Sequence, residues 1–133
     1  MFVSIGAQAA GCTVSTSGLN FGTYDVFSTL NDDITGTINV NCQSGTSYTL
    51  ALSSGFGTYA SRNLTSGANV LAYNLFLDPT RLTIWGDGSA GTGTASGVGT
   101  GTNTDTPVYG RVPAGQNVSV GTYSDVITVT VTF

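Results

Sequence analysis

Apolar and polar residues alternate without a break over the last eight residues of the chain. Ile127, Val129, Val131 and Phe133 share one face, and Val126 shares the other face with three threonines. This period of two in β-branched residues predicts a strand with one face in a hydrophobic core. A regular strand at the end of a chain exposes a sticky edge, so we expect another strand to pair with it.

The same alternation, interrupted by turn residues, predicts short strands along the rest of the chain. We expect 34–42 and 48–52 to pair as a hairpin and residues 31–33 to form a turn. The stretch 86–104, rich in Gly, Thr and Ser, is either a loop or holds a strand near 95–98. The remaining predicted strands are 1–9, 19–25, 61–65, 70–77, 82–85, 106–112, 118–120 and 126–133. Their number and spacing favour an antiparallel β-sandwich.

Charged residues are rare, and this excludes several classes of partner. The 133 residues contain three Arg and seven Asp, with no Lys, Glu or His, for a net charge of −4. Such a surface does not suit nucleic acid or an anionic membrane. No stretch approaches the ~20 apolar residues of a membrane helix.

Two cysteines, Cys12 and Cys42, allow three interpretations. A metal site would need further Cys or His ligands, and a redox pair is more often spaced Cys-x-x-Cys. A structural disulfide is the favoured interpretation, and loop-entropy arguments give it about 3.6 kcal/mol. It implies an oxidising compartment such as the periplasm or the cell exterior.

Candidate catalytic chemistry is sparse, which favours a structural or binding role over an enzyme. Without His, no Ser-His-Asp or Cys-His arrangement can form. Asp32 and Asp33, in the predicted turn, are the one adjacent acidic pair. The sequence after Asp87 lacks the alternating acidic ligands of a calcium loop, and the glycines of 97–101 lack the Lys of a phosphate loop. Trp85 is expected in the core, and we expect neither a metal nor a cofactor.

The first eleven residues have two interpretations. Ala7-Gln8-Ala9 resembles a signal-peptidase site, but no basic segment precedes it and the apolar run is short. In the favoured interpretation they form a strand with Met1, Val3, Ile5 and Ala7 on one apolar face. In an ordinary sandwich this strand and the last one would pair within one subunit.

Several short motifs, taken together, resemble the spore coat protein U domain family, whose members are subunits of archaic chaperone–usher (Csu-like) pili. The resemblance covers nearly the whole chain and includes the spacing of the two cysteines. The motifs are Gly-Cys-Thr-Val at 11–14, Leu-Asn-Phe-Gly-Thr-Tyr-Asp at 19–25, Ile-Asn-Val-Asn-Cys at 38–42, Ala-Tyr-Asn-Leu-Phe at 72–76 with 81–88 following, Tyr-Gly-Arg-Val-Pro-Ala-Gly at 109–115, Gly-Thr-Tyr-Ser-Asp at 121–125 and Val-Thr-Val-Thr-Phe at 129–133.

The resemblance implies an all-β fold: an incomplete immunoglobulin-like antiparallel β-sandwich, completed by a donor strand from a neighbouring subunit. Residues 1–11 would be the donor-strand extension and 12–133 the pilin domain. Met1, Val3, Ile5 and Ala7 would fill a groove in the next subunit. The acceptor groove would be lined by Ile127, Val129, Val131 and Phe133. This is a form of β-strand addition that generates a filament.

The implied function is a structural subunit of an extracellular, cell-surface pilus, exported through the periplasm and serving adhesion and biofilm formation. The implied partners are other copies of the chain, a periplasmic chaperone and an outer-membrane usher. Because no second domain follows Phe133, we expect a shaft subunit. The alternative is a tip adhesin or carbohydrate-binding module that uses exposed loops such as 56–59 or 86–104. A shaft subunit would place residues 1–10 in another copy, and a segment folded beside its own last strand would count against it.

Overall fold

Eleven β-strands make up the regular structure of the described chain. The computed structural model describes residues 2–6, 8–9, 11–16 and 18–133, with side chains for 11–16 and 18–133, and contains no helix within these ranges. None of the described segments is therefore a helix long and apolar enough to cross a membrane. The strands are β1 (Phe2–Gly6), β2 (Gln8–Ala9), β3 (Cys12–Ser15), β4 (Leu19–Asn20), β5 (Asp32–Cys42), β6 (Ser47–Leu52), β7 (Arg62–Ser66), β8 (Asn69–Phe76), β9 (Ala95–Val98), β10 (Thr104–Val112) and β11 (Ser124–Thr132).

The strands pair in the order β2-β3-β5-β10-β8-β7-β11-β1-β4, and β6 joins β11 to β9. Every pair of named strands is antiparallel except β1 and β11, which are parallel. The chain therefore forms an all-β fold in which β11 pairs with β6 and β7 along one edge and with β1 along the other.

We call β3, β5 and β10 one layer and β6, β7, β9 and β11 the other, and residues of both contribute to one hydrophobic core. The core takes alternate residues from each long strand, as expected where one face of a strand is buried. In β11 these residues are Ile127, Val129 and Val131, and the residues between them are exposed. The other layer contributes Ile38 and Val40 from β5, together with residues of β10. Trp85 is also fully buried, as the sequence predicts, and donates its indole N–H to the carbonyl of Leu50 over 3.0 Å.

The positions of most strands are confirmed, but one predicted pairing is wrong. Strands β5 and β6 do not form a hairpin: β5 pairs with β3 and β10, whereas β6 pairs with β9 and β11. The four-residue link between them instead crosses from one layer to the other. β10 pairs with β5 over nine residues, whereas β6 has only six residues and could not pair over as many.

Three local predictions are also corrected. Two residues of the predicted turn at 31–33, Asp32 and Asp33, instead begin β5, where Asp33 forms an ion pair with Arg111 on the neighbouring β10. The strand predicted at 19–25 ends at Asn20, because the side chain of Asn20 caps the turn at Gly22. Residues 118–120 form no strand, and Val120 is fully exposed. A strand at 95–98 is present as β9.

Arg62 is a fully buried cation that fixes the loop between β6 and β7. Its guanidinium donates to the carbonyls of Ser53 and Trp85, at 2.7 Å each, and to Oδ1 of Asn74 at 2.6 Å. The amide of Asn74 in turn donates to the carbonyls of Tyr59 and Ala60. Burial lowers the pKa of Arg62, but each of its three guanidinium nitrogens has an acceptor, which is the condition for keeping such a group in a core.

We expect Arg62→Met to lower the free energy of unfolding by about 3 kcal/mol, because it leaves buried carbonyls without donors. Arg111→Met is the matched control. Arg111 makes a partly exposed ion pair with Asp33, and its loss should cost less than about 1 kcal/mol. Urea unfolding with the disulfide intact measures both values, and equal losses in the two variants would contradict this role for Arg62.

Candidate functional site

A groove runs along the free edge of β11, on the side away from β6 and β7. β4 forms its other wall, and β1 lies between the two, paired with Leu19 and Asn20 of β4 and with residues 124–128 of β11. Within the described chain, no strand pairs with this edge of β11 beyond Thr128. β2 also lies close to β11, and Val129 and Val131 are buried.

Two glycines in the opposite layer make room for the wall formed by β4 and the residue after it. A Cβ on Gly36 of β5 would lie 2.8 Å from the side chain of Leu19, and one on Gly110 of β10 would lie 2.7 Å from the ring of Phe21. Larger residues would push both apolar side chains outward. This close approach explains the glycine of the Tyr-Gly-Arg motif.

Asp125, in phase with the apolar residues of β11, is almost completely buried in the wall of the groove. Oδ2 accepts a hydrogen bond from the hydroxyl of Tyr73 at 2.6 Å, and Oδ1 accepts from the backbone N–H groups of Phe56 and Val126. Gly55 must be glycine, because a Cβ there would lie 2.2 Å from the carboxylate and its φ is +60°. The groove is thus polar near Ser124 and apolar towards Val131.

Burial, and then the hydrogen bond to Asp125, raises the pKa of Tyr73 far above its usual value. A phenol that keeps its proton remains a donor to the buried carboxylate at any ordinary pH. The pair therefore ties β8 to the start of β11 and, through Phe56, to the loop after β6. This arrangement positions the groove wall and offers no reactive group to a substrate.

The sequence alone did not predict Asp125 and Arg62 as buried residues. A signal was present for both: Asp125 alternates in phase with Ile127, and Arg62 alternates in phase with Leu64. A charged residue in phase with the buried face of a strand indicates an internal polar contact. Asp87, by contrast, is exposed, with its pKa lowered by the hydroxyl and backbone N–H of Ser89.

The four predicted groove residues differ in burial and in position. Ile127, Val129 and Val131 face the core from β11, whereas Phe133 follows the end of β11 and is half-exposed, beside Gly11. Of the predicted donor-strand residues, Met1 and Ala7 lie outside the described residues. For Val3 and Ile5 the backbone is described: they pair with Asp125 and Ile127, within the same chain.

This pairing within one chain is the arrangement expected of an ordinary sandwich, and it is the placement that counts against a shaft subunit. The pairing of β1 with β11 is parallel because of where the disulfide holds the start of β3. Cys12 is joined to Cys42 by the predicted disulfide, next to the end of β11. The chain leading back from Cys12 can enter its own groove only from that end, so β1 must run in the same direction as β11.

Comparison with known proteins places this fold in a family. The family model described as Spore Coat Protein U domain matches residues 1–130. The chain belongs to this family. A relative, "Protein U" of Myxococcus xanthus, is 39% identical over 144 residues, covering 98% of this chain and 76% of the relative.

A solved structure shares the fold of this spore coat protein U domain. It is a chain of the CsuC–CsuE chaperone–tip adhesion subunit pre-assembly complex from archaic chaperone-usher Csu pili of Acinetobacter baumannii. The TM-score is 0.67 at 22% identity, over 92% of this chain. The spore coat protein U domain spans 39% of that chain, and the likeness concerns the fold alone.

We expect the free energy of unfolding to fall as the pH rises above about 10, where tyrosines of the unfolded chain ionise and folded Tyr73 does not. Because the pKa of Tyr73 is raised in the folded state, its contribution to the free energy of unfolding is complete below pH ~10. Above pH ~10 this contribution falls by up to about 1.4 kcal/mol per pH unit. Tyr73→Phe lacks this contribution, so its free energy of unfolding at neutral pH should be lower by about 1–3 kcal/mol.

Urea unfolding of both proteins between about pH 7 and pH 11.5 checks this expectation. The deficit of Tyr73→Phe should shrink above about pH 10, because only the protein with Tyr73 loses stability through this group. A deficit that stays constant over the whole range would contradict it.

Proposed function

We propose that this chain is a structural subunit of an extracellular chaperone–usher pilus and polymerises by donor-strand exchange. In this proposal residues 1–11 leave their own groove and enter the groove of another copy, in a fibre that serves surface adhesion and biofilm formation. Membership of the spore coat protein U domain family and the shared fold support the pilus assignment. The observation that carries the exchange mechanism is the short, parallel pairing of β1 with β11.

A strand from a second copy could pair with more of this edge of β11 than the chain's own β1 does. β11 has nine residues, and β1 pairs with five of them. The part paired with β1 includes the buried carboxylate of Asp125, whereas Val129 and Val131 lie beyond it. A strand from another copy is not tethered at the Thr132 end, so it is free to run antiparallel and pair along the whole edge. Antiparallel pairing is also slightly the more stable per residue.

The pairing within one chain then represents the free subunit, and it fits a pilus pathway. A single chain has no other groove to offer its N-terminal segment, and an unpaired edge favours aggregation. The partners we propose follow from this chemistry: a periplasmic chaperone that covers the groove during export, an outer-membrane usher, and further copies of the chain. The solved Csu complex holds a pilus subunit together with a chaperone before assembly, which supports the first of these partners.

We expect Ile5→Asp to reduce the amount of this chain recovered in fibres at least about tenfold, because a charge would enter the groove where Ile5 now pairs with buried Ile127. Ser4→Asp is the matched control, since Ser4 pairs with exposed Val126. The measurement is immunoblotting of fibres sheared from cells that make the protein in its native pathway.

The secreted variants must also be compared as monomers. Both should keep the Cys12–Cys42 disulfide and a cooperative unfolding transition, because the substitutions lie in the segment to be exchanged. Normal fibre yield from Ile5→Asp, or equal loss from both variants, would rule out this segment as the donor strand.

A tip subunit is the second candidate, favoured by the solved Csu complex, which contains a tip adhesion subunit. Exposed Phe56 and Leu82 would then offer apolar contacts to a surface. Immunogold labelling of this chain distinguishes the two: a shaft subunit is labelled along the fibre, and a tip subunit only at its end.

A further inference from the structure

One end of the sandwich carries exposed apolar side chains directly in line with the groove. The loops after β4 and before β11 enclose a cavity of about 430 Å³ that continues the groove past Ser124. Phe27, which is 90% exposed, and the fully exposed Val120 both line it, and Leu30, 77% exposed, lines a neighbouring hollow. We call Phe27, Leu30 and Val120 the Ser124-end patch. A cluster of large exposed apolar residues marks an interaction surface.

The opposite end of β11 carries a second exposed apolar pair. Phe133 and Val98, each a little over half exposed, line a shallow hollow together with Tyr48 and small polar residues. We call Phe133 and Val98 the Thr132-end patch. None of the residues lining this hollow is charged. β11 separates the two patches by about 30 Å, at 3.4 Å per residue, so they cannot meet within one chain.

The Thr132-end patch lies where the N-terminal segment leaves the body of the chain. A Cβ on Gly11 would lie 3.2 Å from the ring of Phe133, and Cys12 is held against Cys42. Wherever residues 1–10 are inserted, Phe133 of the donor copy must therefore follow closely behind them.

The direction of insertion decides which end of the acceptor the donor body reaches. A donor strand parallel to β11 would bring the body to the acceptor's Thr132 end, and an antiparallel strand would bring it to the Ser124 end. The first arrangement would bring two Thr132-end patches together, whereas the second places the donor's Phe133 and Val98 against the acceptor's Ser124-end patch. Of the residues lining the cavity at that end, Asp25 alone is charged, so no like charges oppose the contact.

We infer that the Ser124-end patch is the docking surface for the body of a second copy of this chain, whose Thr132-end patch packs on it after antiparallel strand insertion. This inference rests on the proposed donor-strand exchange. The contact is heterologous, since each copy uses a different patch, and it repeats without closing, as a filament requires. It also gives the cavity and the exposed Phe27 a role that the strand alone does not.

The test is disulfide trapping in fibres of the full chain that carries Val98→Cys and Val120→Cys together. Because one copy would supply the new thiol at position 98 and the next copy the new thiol at position 120, mild oxidation should yield a ladder of covalent multimers on non-reducing gels, in most of the fibre material. The matched control, Val98→Cys with Leu82→Cys, introduces an equally exposed position outside both patches and should give no ladder.

Each outcome decides the matter. Multimers from the double variant, with at most background from either single variant, support the contact. Dimers from Val120→Cys alone would mean that like patches meet, and fibres without a ladder would mean that the bodies do not touch here; either overturns the inference and leaves strand exchange standing. If the wild-type chain forms no fibres, the proposed function fails and the contact fails with it.

A second measurement covers the case in which the cysteine variants do not assemble. Phe27→Ser and Phe56→Ser each remove one exposed ring, but only Phe27 lies in the Ser124-end patch. Fibres of Phe27→Ser should dissociate at a clearly lower urea concentration than those of Phe56→Ser, while the isolated subunits unfold alike. Equal dissociation of both fibres would overturn the inference.

Discussion

The structure depends on the need to pair the free edge of β11. This strand holds the centre of the core through Ile127, Val129 and Val131, and one of its edges is satisfied by β6 and β7. Along the other edge, β1 is the strand that pairs with β11 within the described residues. Because Cys12 is bonded to Cys42 beside the end of β11, the segment before it enters the groove from that end and runs parallel to β11. The direction of β1 is thus a result of the position of one disulfide.

Two buried charges of the core fit the proposed division between a rigid body and an exchangeable strand. Arg62 and Asp125 are buried charges whose hydrogen bonds are directed at loops or strands of residues 53–126, so the body does not rely on β1 for these polar contacts. Buried polar networks of this kind are costly when any member is missing and specify one arrangement when complete. In the proposed exchange they would hold the groove wall in place while the strand beside it changes.

Sequence alone predicted the elements of this fold better than their pairing. Strands with clear alternation, such as β5, β6 and β11, lie where the pattern put them, because a half-buried strand has to alternate. The predicted β5–β6 hairpin failed because neighbours in sequence are only the default partners, and β10 and β3 match β5 over more residues. Residues 118–120 alternate as a strand would, yet Val120 is exposed, and nothing in a local pattern reveals which partner is lacking. The burial of Ile127, Val129 and Val131 follows from the alternation in β11, and their role in an acceptor groove stays a prediction. The burial of Asp125 was missed because the alternation was traced through apolar residues only.

The chain's own use of its groove is informative about how exchange would be driven. A free subunit with an empty groove would expose Val129 and Val131, whereas a subunit with a perfect strand of its own would have no reason to exchange it. The pairing of β1 lies between these extremes: it covers five residues of the edge, in the parallel sense and next to the buried carboxylate of Asp125. In the proposed exchange a second copy would gain from the difference, because its segment would be free of the tether and its body would bring Phe133 to the exposed residues beyond Ser124. The proposed driving force for assembly is then the longer, antiparallel pairing with β11 that the tether denies to the chain's own segment.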